Sequence, residues 1–298
     1  MNRHASIDFL KYRGLTAAFS VAILAAFAAF SIYNYQHRGY VFSYSVDFTG
    51  GTQVLLKFDQ DVSGAQVKDI LSKHGWENVE TRDFSGRNEV LIRVQKFSAD
   101  AKGLGEEMRS ALAKELPGRS IEILQSEAVG PAVGEALRWK SVCAVLIALA
   151  FILLYIAARY FSIPFAVGAV VALFHDALVM LAVFAFLDRE ISVNVIGAIL
   201  AVLGYSINDT IVIYSRIRDN MKKMAGQPLD LIVNTSLNQT LRRTLLTSIS
   251  TGLTVGAMFF LGGEGLRNFS LALLVGIIFG TYSSIFIASP IMMMLDRK

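Results

Sequence analysis

Charged residues are almost absent from several long stretches of this chain. Apolar runs bounded by charge fall at Leu15–Tyr33, Ser141–Ala158, Ile163–Leu187, Ile191–Tyr214, Thr244–Leu261 and Phe269–Leu295. A helix rising about 1.5 Å per residue needs about 20 residues to cross a bilayer core of about 30 Å. The pattern therefore predicts six transmembrane helices. Pro290 lacks the N–H that a helix interior requires, so the last span is expected to break or tilt near it. The first run has a basic lead and an Ala26-Phe27-Ala28 pattern that resembles a cleavage site. It continues to Tyr33, longer than a signal-peptide core, so it is expected to stay as an anchor.

Between the first and second spans the period changes. Thr52–Phe58 alternates as a strand. Ser63 is placed to cap a helix running to about Lys73, with Val67, Ile70 and Leu71 on one face and Gly75 ending it. Asn78–Phe84 and Glu89–Val94 suggest paired strands across the turn 85–88. Ala101–Leu116 has Leu104, Met108, Leu112 and Leu116 at helical spacing, and Ser120–Ser126 is a final strand. The order β-α-β-β-α-β is the ferredoxin-like arrangement, which fixes no function by itself. The expected fold is thus a polytopic α-helical membrane protein carrying a ferredoxin-like α+β domain.

Charge then orients the spans. One set of short loops holds Arg3, Lys11, Arg13, Arg159, Arg216, Arg218, Lys222, Lys223, Arg242, Arg243, Arg297 and Lys298, and the opposing short loops hold only Arg189 and Arg267. By the positive-inside rule both termini are expected in the cytoplasm. The chain divides into a cytoplasmic N-terminus with the first span (1–33), an external, periplasmic domain (34–138), and a five-span bundle (139–298). The bundle is expected to carry a cytoplasmic loop at 215–243 and a cytoplasmic C-terminus. Acidic and basic residues nearly balance in the external domain. The net charge of +4 therefore sits at membrane edges, where it suits anionic lipid and gives no sign of a nucleic-acid partner. The single Cys143 and the four histidines, none at ligand spacing, predict neither a disulfide nor a metal site. No nucleophile–base pair or phosphate cradle is evident, so the chain is not expected to be an enzyme.

Polar residues inside the spans carry the chemistry, because an ionisable group in hydrocarbon costs several kcal/mol unless it is paired or lines water. Asp209 lies well inside the fourth span, with Ser206, Asn208 and Thr210 around it. It reads either as a carboxylate that binds and releases a proton in turn or as a structural ion pair with Arg216 or Arg243. Arg216 follows seven residues on, about two turns along the same face. Arg243 opens the fifth span, where it is placed to snorkel or to switch the proton affinity of Asp209. Asp176, beside His175 in the third span, is a second relay candidate or a packing partner. The fifth span is rich in hydroxyls, Thr247 among them. The spacings Gly252/Gly256 and Gly276/Gly280 predict close helix approach in spans five and six.

These motifs together resemble the SecD/SecF family of protein-export membrane proteins, within the resistance–nodulation–division (RND) transporter superfamily. The resemblance rests on Asp47-Phe48-Thr49-Gly50-Gly51, Val129–Leu137, Leu203–Asn220, Asn234–Thr251 and Gly262–Pro290, and it covers nearly the whole chain. Ser215 and Arg242 depart from the family pattern at the membrane edge. The resemblance implies an RND-like half in the bacterial inner membrane, paired with SecD beside the SecYEG channel, with YajC and YidC as further partners. It also implies use of the proton gradient, or of sodium in some relatives, to draw an unfolded exported polypeptide across, with no bound cofactor. The family's pathway carboxylate falls on Asp209 and its arginine on Arg243. Six spans with one relay look like half of a two-part transporter. A passive subunit stabilising SecD and the channel, and half of a small-solute or lipid transporter, are the competing readings.

Overall fold

In the computed structural model, residues 7–84, 87–98 and 100–296 are described. Arg3, Arg297 and Lys298 of the orientation argument, and positions 85–86 of the turn expected at 85–88, lie outside them. Two compact units form, one spanning Tyr44–Val142 and the other taking the rest of the described chain.

A 3-10 turn at Leu10–Tyr12 leads into α1 (Arg13–Arg38). This helix outruns the expected span by five residues, because Asn34–Arg38 is polar but compatible with a helix. Gly39 ends it at φ 77°, donating its N–H to Tyr35 O at 3.0 Å. The boundary expected at residue 34 is thus displaced, and the compact sheet unit starts at Tyr44.

The sheet unit opens with a single turn, α2 (Val46–Thr49), followed by β1 (Gly51–Phe58), α3 (Gly64–Lys73), β2 (Glu80–Phe84), β3 (Glu89–Val94), α4 (Ala101–Glu115) and β4 (Ile121–Val129). The strands run antiparallel in the order β2-β3-β1-β4, so the arrangement is ferredoxin-like. Alternate residues Val54, Leu56, Phe58, Ile92 and Val94 meet Val67, Leu71, Leu104, Met108 and Leu112 of the two helices in one apolar core. Ser63 caps α3 by accepting from Gln66 N, and Asp100 caps α4 by accepting from Gly103 N. Asn78 stands in the left-handed region at φ 53°, which delays β2 to Glu80. Beyond Ser126, the final strand runs on to Val129, pairing with Gly51–Gln53.

The remaining long helices are α5 (Pro131–Tyr160), α6 (Ile163–Phe186), α7 (Val193–Lys223), α8 (Leu229–Leu261) and α9 (Gly263–Ser283). A π-helical segment (Ser284–Ala288) separates α9 from α10 (Ser289–Leu295). Among the described residues, six helices are long and apolar enough to span a membrane, the sixth running from Gly263 through Leu295. The break in this last span falls just before Pro290, as the missing N–H requires. The expected loop at 215–243 is mostly helix. Only residues 224–228 interrupt α7 and α8, at the turn made by Gly226 (φ 86°) and Pro228. Helices α6, α7 and α9–α10 supply the interior. Tyr214 donates to Ala288 O at 3.0 Å, and a Cβ at Gly168 would lie 2.5 Å from the Tyr214 hydroxyl, so glycine is needed where α6 crosses.

Candidate functional site

Helix α7 buries a stripe at helical spacing: Val195, Ala198, Val202, Ser206, Asp209, Ile213 and Ile217, with Thr210 and Tyr214 alongside. Ser206, Asp209 and Thr210 thus occupy inward positions that neighbouring turns fill with apolar side chains. Asn208 sits about 100° round the helix from Asp209 and is exposed. It does not join the cluster expected around Asp209.

Facing this stripe is Asp176 on α6, which is fully buried. Its Oδ2 accepts hydrogen bonds from Ser206 Oγ and Ser283 Oγ, both at 2.8 Å, and its Oδ1 lies 3.3 Å from His175 Nδ1. Three partners from α6, α7 and α9 therefore hold one carboxylate. Asp209 is differently placed. It is 3% exposed, and its hydrogen-bond contact is Ser248 Oγ on α8, at 3.5 Å from Oδ2. That distance is at the limit of a hydrogen bond, and an ionised carboxylate offers about four acceptor sites. Ser248 is held more tightly by Thr281 Oγ1 on α9, at 2.6 Å, and Thr210 Oγ1 meets Ser284 Oγ at 2.8 Å. Thr244, one turn before Ser248, is buried, and among the described residues its hydroxyl has no hydrogen-bond partner. The two carboxylates therefore lie in an interior lined by hydroxyls from α7, α8, α9 and the π-helical segment.

Several expected site residues take other positions. Thr247 is exposed and its hydroxyl turns back to Arg243 O and Thr244 O, so its neighbour Ser248 is the residue that faces Asp209. Arg216 does not pair with Asp209: its Nε donates to Gln239 Oε1 at 2.6 Å, which also accepts from Asn220 Nδ2 at 2.8 Å. Arg243 is exposed, five positions before Ser248 on α8, and among the described residues no ion pair joins it to Asp209. The glycine pairs also differ. A Cβ at Gly276 would collide with Val202, and one at Gly280 would lie 2.9 Å from Ser206 Cβ, so this pair brings α9 against α7 beside the carboxylates. At Gly252 and Gly256 a Cβ would meet nothing within 4 Å, so these two do not mediate packing among the described residues. Ser248, Thr281, Ser283 and Ser284 are the site residues that pattern reasoning left unassigned.

In the sheet unit, the motif Asp47–Gly51 is a fold device. Ser45 caps the turn of α2, with Phe48 buried, and Gly50 (φ 76°) and Gly51 (φ 112°) need glycine for their backbone. Each also lacks room for a side chain, since a Cβ at Gly50 would lie 2.7 Å from Pro131 Cα and one at Gly51 2.5 Å from Val94 O. A Cβ at Gly134 would come within 3.1 Å of Phe48 O. The glycine motif before the sheet and the glycine–proline motif after it therefore pack on each other. Among the described residues, no group of three or more His, Cys, Asp or Glu is placed to hold a metal ion.

Six membrane-length helices with two interior carboxylates, and a ferredoxin-like domain between the first two in the chain, define a multi-pass membrane protein. Residues 109–298 match the family described as protein export membrane protein SecD/SecF, C-terminal, and residues 40–62 match the SecD/SecF GG motif. The chain belongs to the SecD/SecF family. It is 38% identical over 297 residues to protein translocase subunit SecF of Thermodesulfovibrio yellowstonii, covering 98% of this chain and 96% of that relative. It is 37% identical over 292 residues to protein translocase subunit SecF of Vibrio alginolyticus, covering 97% and 90%. The crystal structure of SecDF from Thermus thermophilus, a translocon-associated membrane protein, superposes with a TM-score of 0.84 at 35% identity. That match covers 100% of this chain and 40% of the other.

Proposed function

We propose that the chain acts as the SecF-type half of a SecD–SecF assembly in the bacterial inner membrane, where it uses the proton gradient to help draw exported polypeptides through SecYEG. The observation that carries this reading is Asp209: a buried carboxylate inside the helix bundle, held by one long hydrogen bond to Ser248, which follows Arg243 by five positions on α8. Protonation removes the negative charge of Asp209 and weakens it as an acceptor for Ser248, whose closer contact is with Thr281. Each cycle therefore changes the attraction between α7 and the mouth of α8. Both termini face the cytoplasm in this reading and the sheet domain faces the periplasm. No cofactor and no enzymatic step are required.

Pairing with SecD is supported by relatives and by an open face. The Thermus thermophilus relative, 40% identical over 287 residues, is a SecDF chain of which this one covers 37%. On α7, Gly197, Ala201, Gly204 and Asn208 form an exposed row of small and polar residues at helical spacing, and Gly252 and Gly256 on α8 are open too. Small residues at such spacing suit a second helix bundle.

The passive-scaffold reading has one observation in its favour, since Asp176 is fully engaged by Ser206, Ser283 and His175. We assign that carboxylate to structure and Asp209 to the proton. Gradient-stimulated export into inverted membrane vesicles tests this. Asp209→Asn is expected to abolish the stimulation while leaving assembly with SecD intact, and full stimulation in the variant would overturn the reading.

A further inference from the structure

A cavity of about 850 Å³ opens between α1, α6, α10 and the start of α8. Its walls are apolar: Val21 and Leu24 of α1, Phe174 and Leu178 of α6, Ile287 and Met294 of the last span. Val21, Phe174 and Met294 are exposed large hydrophobics, as suits a surface whose solvent is hydrocarbon. The charge is gathered at one end. Arg13 stands 3.8 Å from Asp230 there, with Asp296 on the same rim. An adjoining recess, sharing Arg13 and Asp230, adds Lys11 and Asp8. Among the described residues the rim thus carries two cations and three anions. From Arg13 to Leu24 along α1 is about 16 Å at about 1.5 Å per residue, about half of a hydrocarbon core of about 30 Å. His175 lines the cavity; it is 5% exposed, and among the described residues its Nε2 has no hydrogen-bond partner.

We propose that this cavity is a binding site for one phospholipid of a single leaflet, whose headgroup carries both a phosphate and a primary ammonium, as in phosphatidylethanolamine. The cavity has the depth of one leaflet and a volume in the range of about 300–1,000 Å³ typical of built ligand sites. The rim selects the headgroup. Arg13 offers a planar donor fork for the phosphate, and Asp230 and Asp296 offer acceptors for an ammonium. An anionic headgroup without the ammonium would leave those two carboxylates facing a like charge. The acyl chains fill the apolar walls and keep water from the His175–Asp176 contact from this side.

The test is native mass spectrometry of the full chain taken from nanodiscs of equal parts phosphatidylethanolamine, phosphatidylglycerol and phosphatidylcholine. The wild-type chain is expected to retain one phosphatidylethanolamine, at least fivefold over phosphatidylglycerol. Ala17→Trp and Gly14→Trp place an indole in the cavity, and a Cβ at Gly14 meets no heavy atom within 4 Å. Both are expected to lose the lipid. Asp230→Asn with Asp296→Asn leaves the cavity open and should erase the preference over phosphatidylglycerol, which keeps the proposal testable if the Trp variants fold poorly. Equal retention of the two lipids by the wild-type chain, retention by a correctly folded Trp variant, or release of the chain without lipid or only as a dimer would each overturn it.

Discussion

Ser206 and Asp176 sit on different helices, α7 and α6, and are joined by a 2.8 Å hydrogen bond in the centre of the bundle. The same Asp176 oxygen accepts from Ser283 of α9, so one carboxylate binds three spans into a unit. Asp209, on the same α7 stripe as Ser206, has no such clamp. In the proposed function, this contrast assigns structure to Asp176 and the change of protonation state to Asp209.

Asp176→Ala should therefore be the more damaging change to the fold. It leaves Ser206 and His175 without this partner and Ser283 with Gly280 O alone, and a buried polar group left unsatisfied costs about 1–3 kcal/mol. The expected result is a lower melting temperature in detergent micelles. For Asp209→Asn, which gives up one contact at 3.5 Å, the melting temperature should stay near that of the wild type. Equal melting of the two variants would contradict the division of roles.

The two glycine pairs should part in the same way. Gly276→Val drives a side chain into Val202, and overpacking of this kind costs about 1–3 kcal/mol. Gly252→Val meets open space and should leave the isolated chain as stable as before, apart from a small helix-propensity effect. Its expected defect appears only in co-purification with SecD. Thermal melts of the chain alone, beside pull-down yields, check both halves.

Gly50→Ala and Gly51→Ala should loosen the sheet domain. Both positions have positive φ and both abut backbone, so strain and collision combine to about 1–3 kcal/mol each. Hydrogen exchange should show faster exchange in β1 and β4, where Gly51 pairs with Val129, while α7 and α9 stay protected. Unchanged exchange in β4 would show that the glycine pair does not brace the sheet.

Arg243→Gln makes a fourth case. The side chain is exposed and forms no ion pair with Asp209, so its loss should change stability by less than about 0.5 kcal/mol. Export stimulated by the gradient should nevertheless fall sharply, as for Asp209→Asn. An export rate equal to wild type would remove Arg243 from the coupling.

Much of this was open to reading in the chain itself. Six apolar runs of bilayer length leave few options, and the βαββαβ alternation follows from the change of period between Thr52 and Ser126. Ser206 and Asp209 could be placed together because they stand three positions apart on one helix. Ser248 could not be told from Thr247, because α8 has hydroxyls at 244, 247, 248, 250, 251 and 254 and no polar side to fix its phase. The Asp176–Ser283 bond joins residues far apart in the chain, and no local period encodes such a pairing. The glycine pairs were alike in spacing and differ only in what stands opposite them.

The π-helical segment Ser284–Ala288 has a rotational consequence for the end of the chain. A π turn holds a surplus residue, and each residue turns a helix by about 100°. Everything from Ser289 onward is thereby offset about its axis, which is how Met292 reaches the interior while Met294 faces outward. Excising one residue within 284–288 would wind the segment back to an ordinary spiral, swing Met292 toward the lipid and strip Tyr214 of its acceptor at Ala288. The added residue thus works as a fixed angular gear between the two halves of the last span.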